Sequence, residues 1–314
     1  MNMEGIGNST KVVRKARFPL GFSGFSLLIL GACSPSPPAD SLTTAYPEDL
    51  CPSCSEWNEP QEPFRIFGNS YYVGTRGLAS ILITSPDGHV LIDGGLPESA
   101  PLIRENIAAL GFDIADVGLI LNSHAHFDHA GGIAELQRAS GARVVASQPS
   151  AEAIRRGNAV PGDPQHGELL DYPSVATVEE FEDGEELKRG TLALTPFITP
   201  VHSPGGTTWS WTACDADVCL NLVFADSQTP ISAEGFRFSD SPALAEFERG
   251  FQVLEEVPCD ILITPHPGAS SFWERRESAE GLVDPAACGR YAQTAREQFA
   301  RRLEGEKVLS RAES

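Results

Sequence analysis

The segment His124-Ala125-His126-Phe127-Asp128-His129 sets three imidazoles and one carboxylate within six residues. Side chains two apart on an extended backbone share a face, so His124 and His126 can aim at one point while Asp128 and His129 turn toward a neighbouring one. Imidazole suits zinc, and a carboxylate beside a histidine suits a second, harder position that keeps room for water. One segment can therefore serve two metal ions. A lone histidine is more often an ordinary polar residue, but two more follow predicted strands, His202 in Thr199-Pro200-Val201-His202-Ser203-Pro204 and His266 in Thr264-Pro265-His266-Pro267. Five of the seven histidines thus fall at the mouths of strands, where open α/β proteins build their sites. His89, beside a turn, and His166, in a long loop, read as ordinary polar residues.

The elements that must position these groups are legible from periodicity. Ala79–Thr84 and His89–Asp93 are apolar runs joined by Ser85-Pro86-Asp87-Gly88, which predicts a hairpin. Ser99 can cap a helix carrying Ile103, Ile107 and Leu110, with Gly111 as its stop. Val117–Leu121 has the apolar character of a buried strand and runs directly into the histidine segment, after which Gly131–Ala139 reads as helix. Further strands are predicted at Ala142–Ala146, Leu192–Ile198, Thr208–Ala213, Leu220–Ala225 and Asp260–Thr264, and a C-terminal helix at residues 289–304. Residues 150–190, rich in Pro and Gly, read as a long surface loop bordering the site. Strands interspersed with helices give an α/β class with sheet covered by helices, in one domain.

Composition narrows the function. The 314 residues are 41% hydrophobic and 21% charged, which excludes a disordered or fibrous chain. A formal charge of −20 argues against a nucleic-acid partner. Lys11, Arg14, Lys15 and Arg17 precede an apolar run from Phe18 to Leu30, too short for the ~20 residues of a membrane span, so residues 1–32 read as an export signal. Leu30-Gly31-Ala32-Cys33 resembles a bacterial lipobox, which predicts lipidation of Cys33; ordinary signal cleavage nearby is the alternative. The expected location is the periplasm, with a lipid anchor to the envelope through Cys33. Residues 33–58, rich in Pro and Ser, read as a tether to a domain at 59–314. The other six cysteines suit disulfides in an oxidising compartment. Proximity favours Cys51–Cys54 and Cys214–Cys219, leaving Cys259–Cys288; a zinc site from the two close pairs is the rival.

With these motifs in place, the chain resembles the metallo-β-lactamase superfamily, whose signature is H-x-H-x-D-H. Within it the likeness is to the third subclass of class B β-lactamases. It covers roughly residues 50–295, including Trp57-Asn58-Glu59-Pro60, Leu91-Ile92-Asp93-Gly94, Gly162-Asp163-Pro164-Gln165, the His202 and His266 segments, and Ala225-Asp226-Ser227. The resemblance implies a four-layered αβ/βα sandwich and two zinc ions per chain. The first would be held by His124, His126 and His202, and the second by Asp128, His129 and His266. It further implies opening of the β-lactam ring of penicillins, cephalosporins and carbapenems, and so antibiotic resistance. Two zinc ions sharing a water would bring its pKa toward neutrality, and Asp128 would orient it or shuttle a proton. Where the first two subclasses place a cysteine ligand, this chain has Ser227. Ser227 and Thr229 are read as contacts to the substrate carboxylate, and Asp226 as supporting a ligand from behind, with the metal-bridging Asp of other superfamily hydrolases as the alternative for Asp226. We expect a monomer acting on a small molecule. The alternatives are a lactone or thioester hydrolase of the same superfamily, and a non-catalytic zinc-binding envelope lipoprotein.

Overall fold

Alternate residues of a strand face opposite ways, so a strand covered on both faces reads as an unbroken apolar run whose odd and even positions enter different cores. The computed structural model, which describes residues 42–313, shows this directly. Its first sheet has the order β1 (Phe64–Phe67), β2 (Ser70–Tyr72), β3 (Ile81–Ile83), β4 (His89–Ile92), β5 (Val117–Leu121), β6 (Arg143–Ala146) and β7 (Val178–Glu180). The first four are antiparallel neighbours, and β4 to β7 run parallel. The second sheet has the order β12 (Ile261–Ile263), β11 (Val218–Phe224), β10 (Thr207–Asp215), β9 (Leu192–Ile198) and β8 (Leu187–Arg189), with only β11 and β12 parallel.

Ile81, Ile83, Val90, Ile92, Leu119 and Leu121 meet Leu194, Trp209, Trp211, Leu222, Phe224, Ile261 and Ile263 in a core between the sheets. The intervening Leu82, Leu91 and Ile120 face outward. They pack under α2 (Ser99–Ala109), α4 (Ile133–Ser140) and α5 (Gln148–Arg156), through Ile103, Ile107, Ile133, Leu136 and Ile154. On the far side, Val223 and Leu262 pack against Leu254 of α6 (Leu244–Glu256) and Ala292 of α8 (Ala287–Glu313). Helix, sheet, sheet and helix make the four layers of the αβ/βα sandwich. Short helices α1 (Cys54–Trp57), α3 (Phe127–Ala130) and α7 (Phe272–Glu277) lie in the connections.

Several local expectations change. Ser99 does not cap α2; its Oγ accepts from the Leu96 N–H and donates to Asn58 Oδ1 instead. The stretch 150–190 is not all loop, since it holds most of α5 and all of β7 and β8. The Pro-rich leader is no free tether from Leu42 onward: Leu42, Cys51 and Cys54 are buried, and the Tyr46 hydroxyl donates to the Asp171 carbonyl. The leader sits close because Gly77 lacks a Cβ, which would fall 2.6 Å from Trp57 Cα. Cysteines pair as Cys51–Cys54, Cys214–Cys219 and Cys259–Cys288, the last joining the start of β12 to α8. The export signal 1–32 and Cys33 lie outside the described residues. Among those described, no helix is long and apolar enough to cross a membrane.

Candidate metal centre

The histidine segment begins where β5 ends, and buried polar groups fix that end. Asp93, just past β4, accepts from the Ser123 N–H at 2.7 Å, the Ser123 hydroxyl at 2.6 Å and Asn122 Nδ2 at 3.1 Å. Asn122 also donates to the His124 carbonyl, and Trp209 Nε1 donates to the Asn122 carbonyl. The chain then turns so that His126 precedes α3 in extended conformation, and Asp128 and His129 ride on the helix. His202 comes from the β9–β10 turn, which Ser147 and Ser150 hold through the Gly205 carbonyl. His266 follows β12, its ring 5.1 Å from that of Trp57.

Ligand atoms of His124, His126 and His202 lie within 4.8 Å of one another, all buried. Each ring is held by its other nitrogen. His124 Nδ1 donates to Asp226 Oδ1 at 2.7 Å, His126 Nε2 to Asp163 Oδ2 at 3.0 Å, and His202 Nδ1 to the Thr229 carbonyl at 2.9 Å. Acceptors at those positions put the protons there and leave lone pairs on His124 Nε2, His126 Nδ1 and His202 Nε2, the tautomers that metal ligation requires. Burial and the neighbouring histidines hold His124 well below the ordinary imidazole range, and His202 is lowered to about 3 by the same causes. Both are neutral donors at neutral pH.

Beside this set, Asp128 Oδ2 lies 3.1 Å from His266 Nε2 and 3.3 Å from His129 Nε2, and the two imidazole nitrogens are 3.3 Å apart. Burial pushes the Asp128 carboxyl up, but His129 and His266 outweigh it and hold it well below the usual carboxylate range. The residues fit a divalent metal on an independent ground. His124 Nε2 is buried without a hydrogen-bond partner among the described residues, which would be costly unless a Lewis acid takes its lone pair. A zinc ion held by three protein groups would keep a position for water, as catalytic zinc sites do.

The other predicted residues fall as follows. Ser227 lies three residues past the end of β11, is buried, and directly follows Asp226, which holds His124. The Thr229 hydroxyl lies 3.2 Å from His202 Nδ1, so it backs a histidine rather than standing free for a substrate. Asp226 is fully buried and reaches the centre through His124. His89 and His166 lie apart, the first accepting from the Ser85 N–H and the second 3.2 Å from the Ala159 carbonyl. Sequence reasoning assigned no role to Asp163, to Gln165 (Nε2 3.3 Å from His202 Nε2) or to Trp57. The Gly162-Asp163-Pro164-Gln165 motif was the available signal, but nothing in its spacing says which histidine it meets.

The family model described as the metallo-β-lactamase superfamily matches residues 73–273. The chain belongs to that superfamily. Among solved structures, the Rm3 metallo-β-lactamase is 51% identical with a TM-score of 0.80, covering 82% of this chain and 99% of its own. MEM-A1, a subclass B3 metallo-β-lactamase from a soil metagenome library, is 47% identical with a TM-score of 0.78, covering 80% and 99%. The likeness to a third-subclass enzyme therefore extends over 80% of the chain. Curated relatives match only in part. N-acyl homoserine lactonase AttM of Azorhizobium caulinodans is 35% identical over 19% of this chain and 31% of its own length. Hydroxyacylglutathione hydrolase of a Bradyrhizobium species is 40% identical over 18% and 21%. The chain thus spans about a third and a fifth of these two relatives. As a metallo-β-lactamase superfamily member with a histidine cluster that fits a metal site, the protein is a hydrolase.

Proposed function

We propose that the protein is a dizinc β-lactamase that opens the cyclic amide of penicillins, cephalosporins and carbapenems. The observation that carries the reading is the buried group His124/His126/His202 beside a second group, in which Asp128 and His129 lie within ligand distance of His124 and within 3.3 Å of His266 Nε2. Its relation to Rm3 and MEM-A1, at 51% and 47% identity over nearly their full length, supports the substrate class.

Zinc bound there supplies Lewis acidity and makes water acidic enough to attack a carbonyl near neutral pH. The protein's own groups do the rest. Asp163, Asp226 and the Thr229 carbonyl hold the three histidine rings in register. Asp128, kept ionised, would orient the attacking water or shuttle a proton between it and the leaving amide nitrogen. The Ser227 hydroxyl donates to the substrate carboxylate. Trp57, packed against His266, supplies an apolar wall.

The lactonase match favours a second reading, hydrolysis of a lactone, and the hydroxyacylglutathione hydrolase match a thioester. One assay separates them. Purified protein is given a penicillin, a cephalosporin, a carbapenem, an acyl homoserine lactone and a glutathione thioester, with and without chelator. The proposal expects β-lactam opening that chelator abolishes and added zinc restores. Turnover of the lactone or thioester with no β-lactam opened would overturn it. We further propose export and anchoring through a lipid on Cys33. Three disulfides support an oxidising compartment, and Cys33→Ser should move the protein from the membrane fraction to the soluble periplasmic one.

A further inference from the structure

Beyond Ser227 the chain runs through residues 229–237 without regular structure until the short turn Phe238–Asp240. A segment of this kind needs partners for its backbone, and here one face of α8 supplies them. Arg302 donates to the Pro230 carbonyl at 3.2 Å, the Ser232 hydroxyl at 2.7 Å and the Phe236 carbonyl at 3.1 Å. Its Nε donates to Glu306 Oε1 at 2.7 Å. Glu306, one turn on and only 5% exposed, accepts from the Phe238 N–H at 3.1 Å and the Ser239 N–H at 2.8 Å. The guanidinium also lies 5.0 Å from the Phe238 ring, which is fully buried among Phe247, Phe251 and Phe299. Arginine alone has the planar fork that reaches three acceptors on the loop and a carboxylate at once.

The same segment reaches the metal centre directly at His202 and touches the loop that carries Asp163 and Gln165. The Thr229 carbonyl, one residue before Pro230, accepts from His202 Nδ1. The Ala233 N–H donates to the Pro164 carbonyl at 2.8 Å, between Asp163, which holds His126, and Gln165, which faces His202.

We propose that Arg302 and Glu306 form a clamp that holds residues 229–239 against the metal centre, so that Arg302 is a positioning residue for His202. Arg302 does not contact a ligand; it holds the Pro230 carbonyl, one residue after the Thr229 carbonyl that accepts from the His202 ring. The proposal rests on the metal-site reading above and not on the choice of substrate. Removing a direct partner of a metal ligand costs about 10–100-fold in metal affinity; one link further out, about a three- to tenfold loss is expected.

The test compares Arg302→Ala with Arg296→Ala in the full chain. Arg296 lies on the same helix but pairs with Glu248 and Glu255 of α6 and not with the loop. Two readouts do not depend on turnover: zinc affinity by chelator competition, and the rate at which trypsin cuts after Arg237, inside the loop. For Arg302→Ala we expect weaker zinc binding and faster cleavage at Arg237, with Arg296→Ala like the parent in both. If Arg302→Ala fails to fold, Glu306→Gln, which keeps one acceptor oxygen, should shift both readouts the same way by less. Parent-like zinc affinity and cleavage in the clamp variant, or equal shifts in Arg296→Ala, would overturn the clamp. If the readouts move as stated while no β-lactam is opened, the clamp stands and the substrate reading falls.

Discussion

Replacing Asp226 with Asn should weaken zinc binding while making the metal-free protein more stable at neutral pH. Asp226 is fully buried, with Oδ1 2.7 Å from His124 Nδ1, and the close approach of Gly206 beside it leaves no room even for a Cβ, which would fall 2.4 Å from Oδ2. Asparagine has the same shape, so little repacking is needed. With metal bound, the carboxylate is the better acceptor for the His124 proton and adds negative charge behind a cationic centre. Turned the other way, an amide NH₂ would face Nδ1 and push the proton onto Nε2, the ligand atom. Partners of this kind are worth about 10–100-fold in affinity, or about 1.4–2.7 kcal/mol. Without metal the sign reverses. Burial, and then the nearby Asp93, push the Asp226 carboxyl well above its ordinary 3.8. The folded state therefore holds a proton that the unfolded state gives up above about pH 4, and stability drains away as pH rises from there. Asparagine has no such loss. Zinc affinity by chelator competition and urea unfolding of metal-free protein at pH 4 and pH 7 measure both halves. The expected result is weaker zinc binding, with a stability gain at pH 7 that shrinks toward pH 4. Stability falling together with zinc affinity at pH 7 would make Asp226 a packing residue only. Unchanged zinc affinity would mean that the His124 lone pair does not depend on it.

Three further substitutions probe separate parts of the site and fold. Asp128→Asn should leave one zinc per chain after dialysis in place of two and cut turnover sharply, because the amide is a poorer ligand and takes no proton; two zinc ions with parent turnover would deny it both roles. Ser227→Ala should raise KM about ten- to a hundredfold, the worth of one hydrogen bond to a charged group, with kcat nearly unchanged; loss of zinc instead would place Ser227 among the ligands. Removing the Cys259–Cys288 link, whose partners are 29 residues apart, should cost roughly 3–4 kcal/mol on a chain-entropy basis, read from urea unfolding of Cys259→Ser/Cys288→Ser; parent stability would show that the link adds nothing.

Much of the fold was legible because both sheets are covered on both faces. Runs such as Ile81–Ile83, Leu119–Leu121 and Ile261–Ile263 can only be buried strands when successive residues feed different cores. What hid was structure without a local period. Gln148–Arg156 is helical within a Pro- and Gly-rich stretch because tertiary packing buries Ala151 and Ile154. Residues 42–58 carry too few apolar side chains to announce themselves, yet Cys51, Cys54 and Trp57 pack against Leu78 and Leu96.

The site divides the same way. Four of its groups lie in one six-residue segment, close enough along the chain to serve one centre, so the sequence by itself determined that a candidate metal centre lies at the end of β5. Which distant groups complete and orient it is a matter of long-range approach. His266 meets His129 across 137 residues, Asp226 meets His124 across 102, and Asp163 meets His126 across 37. Arg302 reaches Pro230 across 72. No local pattern encodes those distances, because they are fixed only when the two sheets stack and α8 closes over the second one; the tertiary structure decided them.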